Sequence, residues 1–438
     1  MTENSGARGE QPPIRQPGSL PYPDRPAGRD TIPQLAHIVV LMMENHSYDN
    51  KLGMLGRPGA DGFRLGPDGK PVASNPYPGG DIQHAFPMPT TCQLFGKPSQ
   101  SWQNAHEQYA DGRNSGFVSS GSGPVAMGYW QEADQPFYYS VARHFPIADR
   151  YFCSVLGPTY PNRRYLISAT SLGMIDDTLP ALFGYPPNGT IFDRLDEAGL
   201  SWKEYCSTLG VVIATSELYP ELYLKNVGSK IVGIDSFFDD AASGSLPAFS
   251  LVEPNFMLGS EESPQNIAIG EHFAARVIEA VMDGPGWART LLIWTYDEHG
   301  GYYDHVPPPA AIEPDDIPPD TRSGVPAYDG FRRYGFRVPC ALISPWARPD
   351  YVSHEIFDHA SICALVEAKW NLPAMTCRDA NASPMLDMLD LTRRRPAFRR
   401  PPRLAKPKLS ANPLGTLECE ILGPGTIPPP GSVTKAHG

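Results

Sequence analysis

The hydrophobic pattern of this chain of 438 residues is set by a few short apolar runs that stop abruptly in polar residues. Ile38 to Met43 is apolar without a break and ends at Glu44-Asn45-His46. Thr290 to Tyr296 (TLLIWTY) ends at Asp297-Glu298-His299, followed by two glycines. Continuous apolar runs of this length read as strands buried on both faces, so the polar residues after them stand at the carboxyl edge of a sheet. Ala248 to Val252 reads as another strand, ending at Glu253-Pro254-Asn255. Val338 to Ser344 reads as a further one before Pro345, and Ser201 to Tyr205 as the start of a fifth.

Between these runs the period changes to that of a helix. Gly270 to Met282 alternates at helical spacing, Phe357 to Trp370 reads as an amphipathic helix ending near Pro373, and Thr190 to Asp193 opens a helix that Gly199 closes. Tyr151 to Leu156 is β-prone, Gly157-Pro158 turns the chain, and Asn162 to Ala169 is expected to be helical, with Pro161 in the first turn, where a missing N–H costs nothing. Thr159 is therefore expected in a strand-to-helix turn, where backbone N–H groups and the positive helix end suit a phosphate. The alternation predicts an α/β fold: a large, mainly parallel sheet with helices on both faces and its ligand site above the strand ends.

Three segments follow from the pattern: a disordered leader over 1–30, one large domain over 31–387, and a basic, proline-rich tail over 388–438. Residues 51–135, dense in Gly, Pro and polar types, read as long surface loops over the strand ends. Within them Ser101 to Tyr109 forms a short helix carrying His106.

Composition narrows the function. A hydrophobic content of 41% supports a core. A formal charge of -12 argues against nucleic acid as a partner, although not against a small phosphate held through a cation. No apolar run approaches the ~20 residues that span a bilayer, and no secretory signal is visible. The expectation is a cytoplasmic protein whose only route to a membrane is peripheral contact through the basic run Arg393 to Lys408. The seven cysteines, Cys92, Cys153, Cys206, Cys340, Cys363, Cys377 and Cys419, are scattered and form no CxxC. They are expected to be reduced packing residues rather than a disulfide frame or zinc site.

Two strand ends finish in adjacent hard ligands, Glu44-Asn45 and Asp297-Glu298, and Thr159 adds a hydroxyl. Three carboxylates and an amide oxygen suit a divalent cation such as Ca²⁺, Mg²⁺ or Mn²⁺. A threonine hydroxyl is a poor nucleophile until coordination or a base removes its proton, and the same ion neutralises charge on an attacked phosphate. Each residue also has a plainer reading. An acid after a strand usually caps a helix or meets solvent, Thr159 serves as a helix cap, and His106, His299, His305 and His359 serve as hydrogen-bonded framework groups. The coincidence of two acid pairs and a hydroxyl at one sheet edge is what argues for a site.

Five stretches carry a resemblance: ENHSYDNKLG (44–53), LGPTYPNRRYLISAT (156–170), TYDEHGGYYDHVPPP (295–309), VPCALISPWA (338–347) and FDHASI (357–362). In this order they resemble the phosphoesterase family of bacterial phospholipases C, certain bacterial acid phosphatases and plant non-specific phospholipases C. The likeness covers roughly residues 35 to 370. It implies an alkaline-phosphatase-like fold and metal-dependent phosphoric ester hydrolysis, most simply phospholipase C-like cleavage of a phosphodiester through a phospho-threonine. Phosphomonoester hydrolysis, or binding of a phosphorylated ligand on a degenerate scaffold, are the alternatives. It further implies Glu44, Asn45, Asp297 and Glu298 as metal ligands, and Thr159 as nucleophile and fifth ligand. Asn162 and Arg163 orient phosphate or fix the turn, and His359, His299 and His106 are the candidates for protonating the leaving alcohol. The pattern departs at Glu261 to Gln265, where Ser263 stands at a position commonly His, at Gln100, also commonly His, and at Tyr160, often Asp.

Overall fold

A computed structural model describes residues 13–93, 98–178, 184–207, 215–409 and 425–431. Among them one sheet has eight strands: β1 (His37–Met43), β2 (Ile147–Ala148), β3 (Trp202–Cys206), β4 (Ile231–Gly233), β5 (Phe249–Glu253), β6 (Thr290–Tyr296), β7 (Cys340–Ile343) and β8 (Val352–Ser353). Their order across the sheet is β8-β2-β7-β6-β1-β5-β3-β4. All run parallel except β7, which is antiparallel to both β6 and β2. This is the expected α/β fold, with one reversed strand. Every residue of β6 and all but the first of β1 are buried, so the centre of the sheet is covered on both faces, as apolar runs without alternation require.

The register decides where the chemistry goes. β1 pairs with β6 from His37 opposite Thr290 to Met43 opposite Tyr296, so Glu44 and Asp297 leave the sheet at one level. β5 lies on the other side of β1, with Val252 opposite Leu41, and Glu253 closes that strand near the same edge.

Several expectations change in three dimensions. Tyr151 to Leu156 makes only isolated bridges, Tyr151 with Phe357 and Phe152 with Arg337, which continue the pairings of β2 with β8 and β7. The helix His359–Trp370 is not amphipathic in use: all of its residues are buried, and it packs against the helix Thr159–Ser168 inside the domain. Residues 51–135 are not simply surface loops. Phe86, Met88, Met127 and Trp130 join Ile267 and Tyr302 in a second apolar cluster.

The start of the chain also differs from expectation. From residue 13 the leader is tied down: Gly18 N–H donates to the Ala374 carbonyl at 2.8 Å, and the Asn371 side chain donates to the carbonyls of Tyr22, Arg25 and Pro26. The first part of the tail lies over the domain, with the Phe398 ring 4.8 Å from that of Phe145 and Lys406 paired with Glu279. Cys92 is disulfide-bonded, against the expectation of reduced thiols throughout. Cys153, Cys206, Cys340, Cys363 and Cys377 are free, and Cys419 lies outside the described residues. No described helix is long and apolar enough to cross a membrane.

Candidate active site

The helix bearing Thr159 runs from Thr159 to Ser168 and begins three residues earlier than Asn162, with Pro158 as its N-cap. Asn162 explains the early start. Its Oδ1 accepts from Val155 N–H at 3.1 Å, and its Nδ2 donates to the carbonyls of Gly157 (2.9 Å) and Pro158 (3.0 Å). Asn162 therefore fixes the turn, and all its side-chain polar atoms are used in doing so. Thr159 is left half-buried at the helix start, its hydroxyl within hydrogen-bonding reach of the Asp297 carboxylate. The next helix N–H, that of Tyr160, already donates to Asp177 Oδ1 at 2.8 Å.

The strand ends come together as their register requires. Asn45 sits in the left-handed region (φ 71), and its N–H donates to Asp297 Oδ1 at 3.3 Å. Asp297 Oδ1 also accepts from Glu298 N–H at 2.8 Å, and Glu298 Oε2 from Gly300 N–H at 2.7 Å. Gly300 has φ +65, and a Cβ there would lie 1.9 Å from the Asn45 carbonyl oxygen, so this close approach admits only glycine.

Arg163 stands among the carboxylates. Its Nη2 is 3.4 Å from Glu44 Oε1, its Nη1 donates to Glu253 Oε1 at 3.1 Å, and its Nε donates to Asp297 Oδ2 at 3.3 Å. One guanidinium thus serves three buried acids, with Glu298 as a fourth beside them. Burial, with Asp297's charge next to it, pushes Glu44 and Glu298 well above the usual carboxylate range. Burial raises Asp297 to about 6 despite the opposing pull of Arg163. A site with this excess of negative charge favours a further cation.

The donor set fits one. Asn45 Oδ1 and Glu298 Oε1 are buried oxygens with no hydrogen-bond donor, an arrangement that is expensive unless something positive meets them. All candidate donors are oxygens, which suits a hard divalent ion. Two other clusters, Asp49-Asp304-His305 and Glu204-Cys206-Glu253, bring three ligand atoms within 4.8 Å of one another. In the first, the Arg337 guanidinium already meets Asp49 at 3.0 Å and Asp304 at 2.8 Å.

Two cavities lie near the helix start, and the smaller opens at Thr159. The smaller, about 190 Å³, is lined by Glu44, Thr159, Tyr160, Arg163, Asp177, Phe256 and Glu262. The larger, about 490 Å³, has Gln100, Trp102, Pro158, Asp176, Asp177 and Val325 in its wall. Asp177 belongs to both. Sequence reasoning did not select Asp177, Glu253 or Glu262. Glu253 carried a signal, since it too ends an apolar run. Asp177 carried none, because it lies in an irregular loop.

No histidine lines either cavity among the described residues. His359 donates its Nε2–H to the Asp297 carbonyl at 2.6 Å, and His299 donates its Nε2–H to Gln108 Oε1 at 2.7 Å. Burial pushes their imidazoles down to about 4 and about 3, so both are neutral at neutral pH. His106 donates Nδ1–H to the Trp102 carbonyl at 2.7 Å and stacks on Tyr328 at 4.0 Å. All three histidines, expected as candidates for protonating a leaving group, are hydrogen-bonded within the fold. Ser263 is also interior: its hydroxyl meets Gln93 and Tyr302, and neighbouring Glu261 pairs with Lys51 and accepts from Tyr138 and Tyr296. Of that stretch only Glu262 reaches the cavity.

With this geometry in place, the chain was compared with known proteins. Residues 35–373 match the model of the phosphoesterase family. Non-specific phospholipase C1 of Arabidopsis thaliana is 34% identical over 414 residues, covering 87% of this chain and 75% of that one. Phospholipase C B of Mycobacterium tuberculosis is 30% identical over 436 residues, covering 87% and 81%. Among solved structures, a protein in the alkaline phosphatase superfamily from Vibrio parahaemolyticus overlaps 83% of this chain and 73% of its own at 9% identity, with a TM-score of 0.39.

Proposed function

The chain belongs to the phosphoesterase family, and we propose that it cleaves a phosphodiester in the manner of a phospholipase C, by attack of the Thr159 hydroxyl on phosphorus. The observation that carries this reading is the position of Thr159. It opens a buried helix, stands beside the Asp297 carboxylate, and lines, with Glu44 and Arg163, the smaller of two cavities that share Asp177. The smaller cavity holds the phosphate beside Arg163, and the larger takes one ester arm.

Asp297, whose carboxylate lies near the Thr159 hydroxyl, is placed to orient it. Asn162 keeps the turn in place, so the oxygen points into the cavity at little entropic cost. Arg163 is the one positive side chain in the cavity wall, and it attracts the phosphate to the attacking oxygen. Attack forms the bond from Thr159 Oγ1 to phosphorus and breaks the bond from phosphorus to the alcohol oxygen. The alcohol leaves with a proton, in balance with the one Thr159 gives up, and the phosphorylated head group stays on Thr159 until water displaces it. Glu44, Asn45, Asp297 and Glu298 are the residues that would hold a divalent ion, for which calcium, magnesium and manganese are the chemical candidates. When bound, the ion supplies Lewis-acid activation of the hydroxyl and neutralises phosphate charge.

The test is turnover of a monoester, a soluble diester and phosphatidylcholine with added divalent ions, for wild type and Thr159→Ala. We expect diester hydrolysis by wild type and a loss of about a thousandfold or more in the variant, the scale on which removing a nucleophile acts, with unchanged circular dichroism. Undiminished hydrolysis in the variant removes the mechanism. Turnover of the monoester alone makes the protein a phosphatase, and turnover of none of the three makes it a binder.

A further inference from the structure

Among the described residues eleven large apolar side chains are exposed, and Met257 and Leu258 are the only pair of them adjacent in the chain. They are 61% and 53% exposed. The residue before them, Phe256, is 8% exposed, lines the smaller cavity, and has its ring centre 4.9 Å from the Arg163 guanidinium carbon. The cavity wall and the exposed apolar pair are therefore consecutive residues of one loop.

The loop is built rather than loose. Met257 N–H donates to Asn255 Oδ1 at 2.9 Å, and the N–H groups of Leu258 and Gly259 donate to the Asn255 carbonyl at 3.1 and 2.7 Å. Gln265 Nε2 donates to the Phe256 carbonyl at 2.6 Å, and its Oε1 accepts from Ser260 N–H at 3.0 Å. The three donor N–H groups at the tip are satisfied within the turn, so placing it in an apolar medium strands none of them. Large apolar side chains held outward by a satisfied turn, beside a site for a phosphoester, suit a lipid surface.

Charge selects the kind of surface. No Lys or Arg occurs between Lys230 and Arg276, a stretch that contains Glu253, Glu261, Glu262 and Glu271. Three of these acids are buried, and Glu262 lines the cavity beside the loop, so this stretch offers an anionic headgroup no cation to pair with. The basic tail offers less than its composition implies, since Lys406 pairs with Glu279 and Lys408 lies 3.8 Å from Asp134.

We propose that Met257 and Leu258 insert into a zwitterionic phospholipid surface and seat the mouth of the Thr159 cavity on it. The proposal rests on the reading of the substrate as a phospholipid. The experiment is sedimentation of the full chain with phosphatidylcholine vesicles, with and without phosphatidylserine, for wild type and the Met257→Ser/Leu258→Ser double variant. Turnover of a short-chain diester below its micellar concentration is measured alongside. Losing two apolar side chains is expected to weaken vesicle partitioning about tenfold or more, while turnover of the monomeric diester stays unchanged. Equal sedimentation of variant and wild type overturns the proposal, as does wild-type binding that requires phosphatidylserine. So does self-association of wild type, abolished in the variant, with no vesicle binding. Sedimentation reads the contact whether or not lipid is hydrolysed, so a failed substrate assay counts against the substrate and a failed sedimentation against the apolar contact.

Discussion

His359 donates its Nε2–H to the backbone carbonyl of Asp297 at 2.6 Å, while its Nδ1 accepts the Tyr151 hydroxyl at 3.1 Å. A carbonyl can only accept, so this pair of bonds sets the tautomer, and both ring nitrogens are used inside the core. The histidine thus holds the strand end from which Asp297 projects. His359→Ala is expected to lower unfolding free energy by roughly 2–4 kcal/mol, since it leaves a cavity and two unpaired buried groups. His359→Gln, whose amide can still donate, should lose less. Urea unfolding measures both. The pH–rate profile of His359→Gln should keep the shape of the wild-type curve, and loss of a limb in the variant would return this residue to proton transfer.

Arg163 is expected to be the most costly residue of the site to remove. Arg163→Met leaves Glu44, Glu253 and Asp297 without their shared partner, and breaking a buried pair costs about 3–5 kcal/mol. Arg163→Lys should recover only a fraction, because a point charge cannot meet three acids in separate directions. Divalent ions should stabilise the Met variant more than wild type, a difference readable by thermal melts. Equal shifts in the two proteins would mean that the ion and Arg163 do not share these carboxylates.

Divalent ions should raise the melting temperature of wild type and chelators should lower it. At about a hundredfold excess over Kd the stabilisation is about 2–3 kcal/mol. Asn45→Ala and Glu298→Gln remove the two oxygens that lack donors, so the metal-dependent shift should shrink or vanish in them. A full shift in both variants would place the ion elsewhere.

His305 supplies a pH dependence. Burial works against its imidazolium, but Asp49, with Oδ2 2.7 Å from Nδ1, outweighs it, and the pKa is pushed up to about 9 from the usual 6.5. A raised folded-state value means the charged form stabilises the fold. That contribution is fully present below about 6.5 and is lost as pH rises through 9. Its size is on the order of 2 kcal/mol, tempered by the ring's partial exposure. Wild type should lose melting temperature between pH 6.5 and 9.5 relative to His305→Gln, and parallel curves would refute the assignment.

Much of this was legible in the chain. An apolar run without alternation is a local property, and in a parallel sheet it means a strand covered on both faces. Hence β1 and β6 and the polar residues ending them could be read directly, and with them the gathering of Glu44, Asn45, Asp297 and Glu298 at one sheet edge. The turn at Pro158 likewise placed Thr159 at a helix start, although the helix begins before Asn162 because that side chain folds back on the turn.

What the chain could not show alone depended on partners distant in sequence. The direction of β7, the burial of every residue of His359–Trp370, and the pairing of Ser263 with Gln93 follow from which neighbours fill the space around them. So does the presence of Arg163 among three acids from three strands. Periodicity reports which face of an element is apolar, and it carries no information on what meets a polar atom across the fold. The chemistry of the site was therefore written locally, in residue types at strand ends. The hydrogen-bond partners of its histidines and the balance of its charges were decided only when tertiary contacts brought remote donors and acceptors within hydrogen-bonding distance.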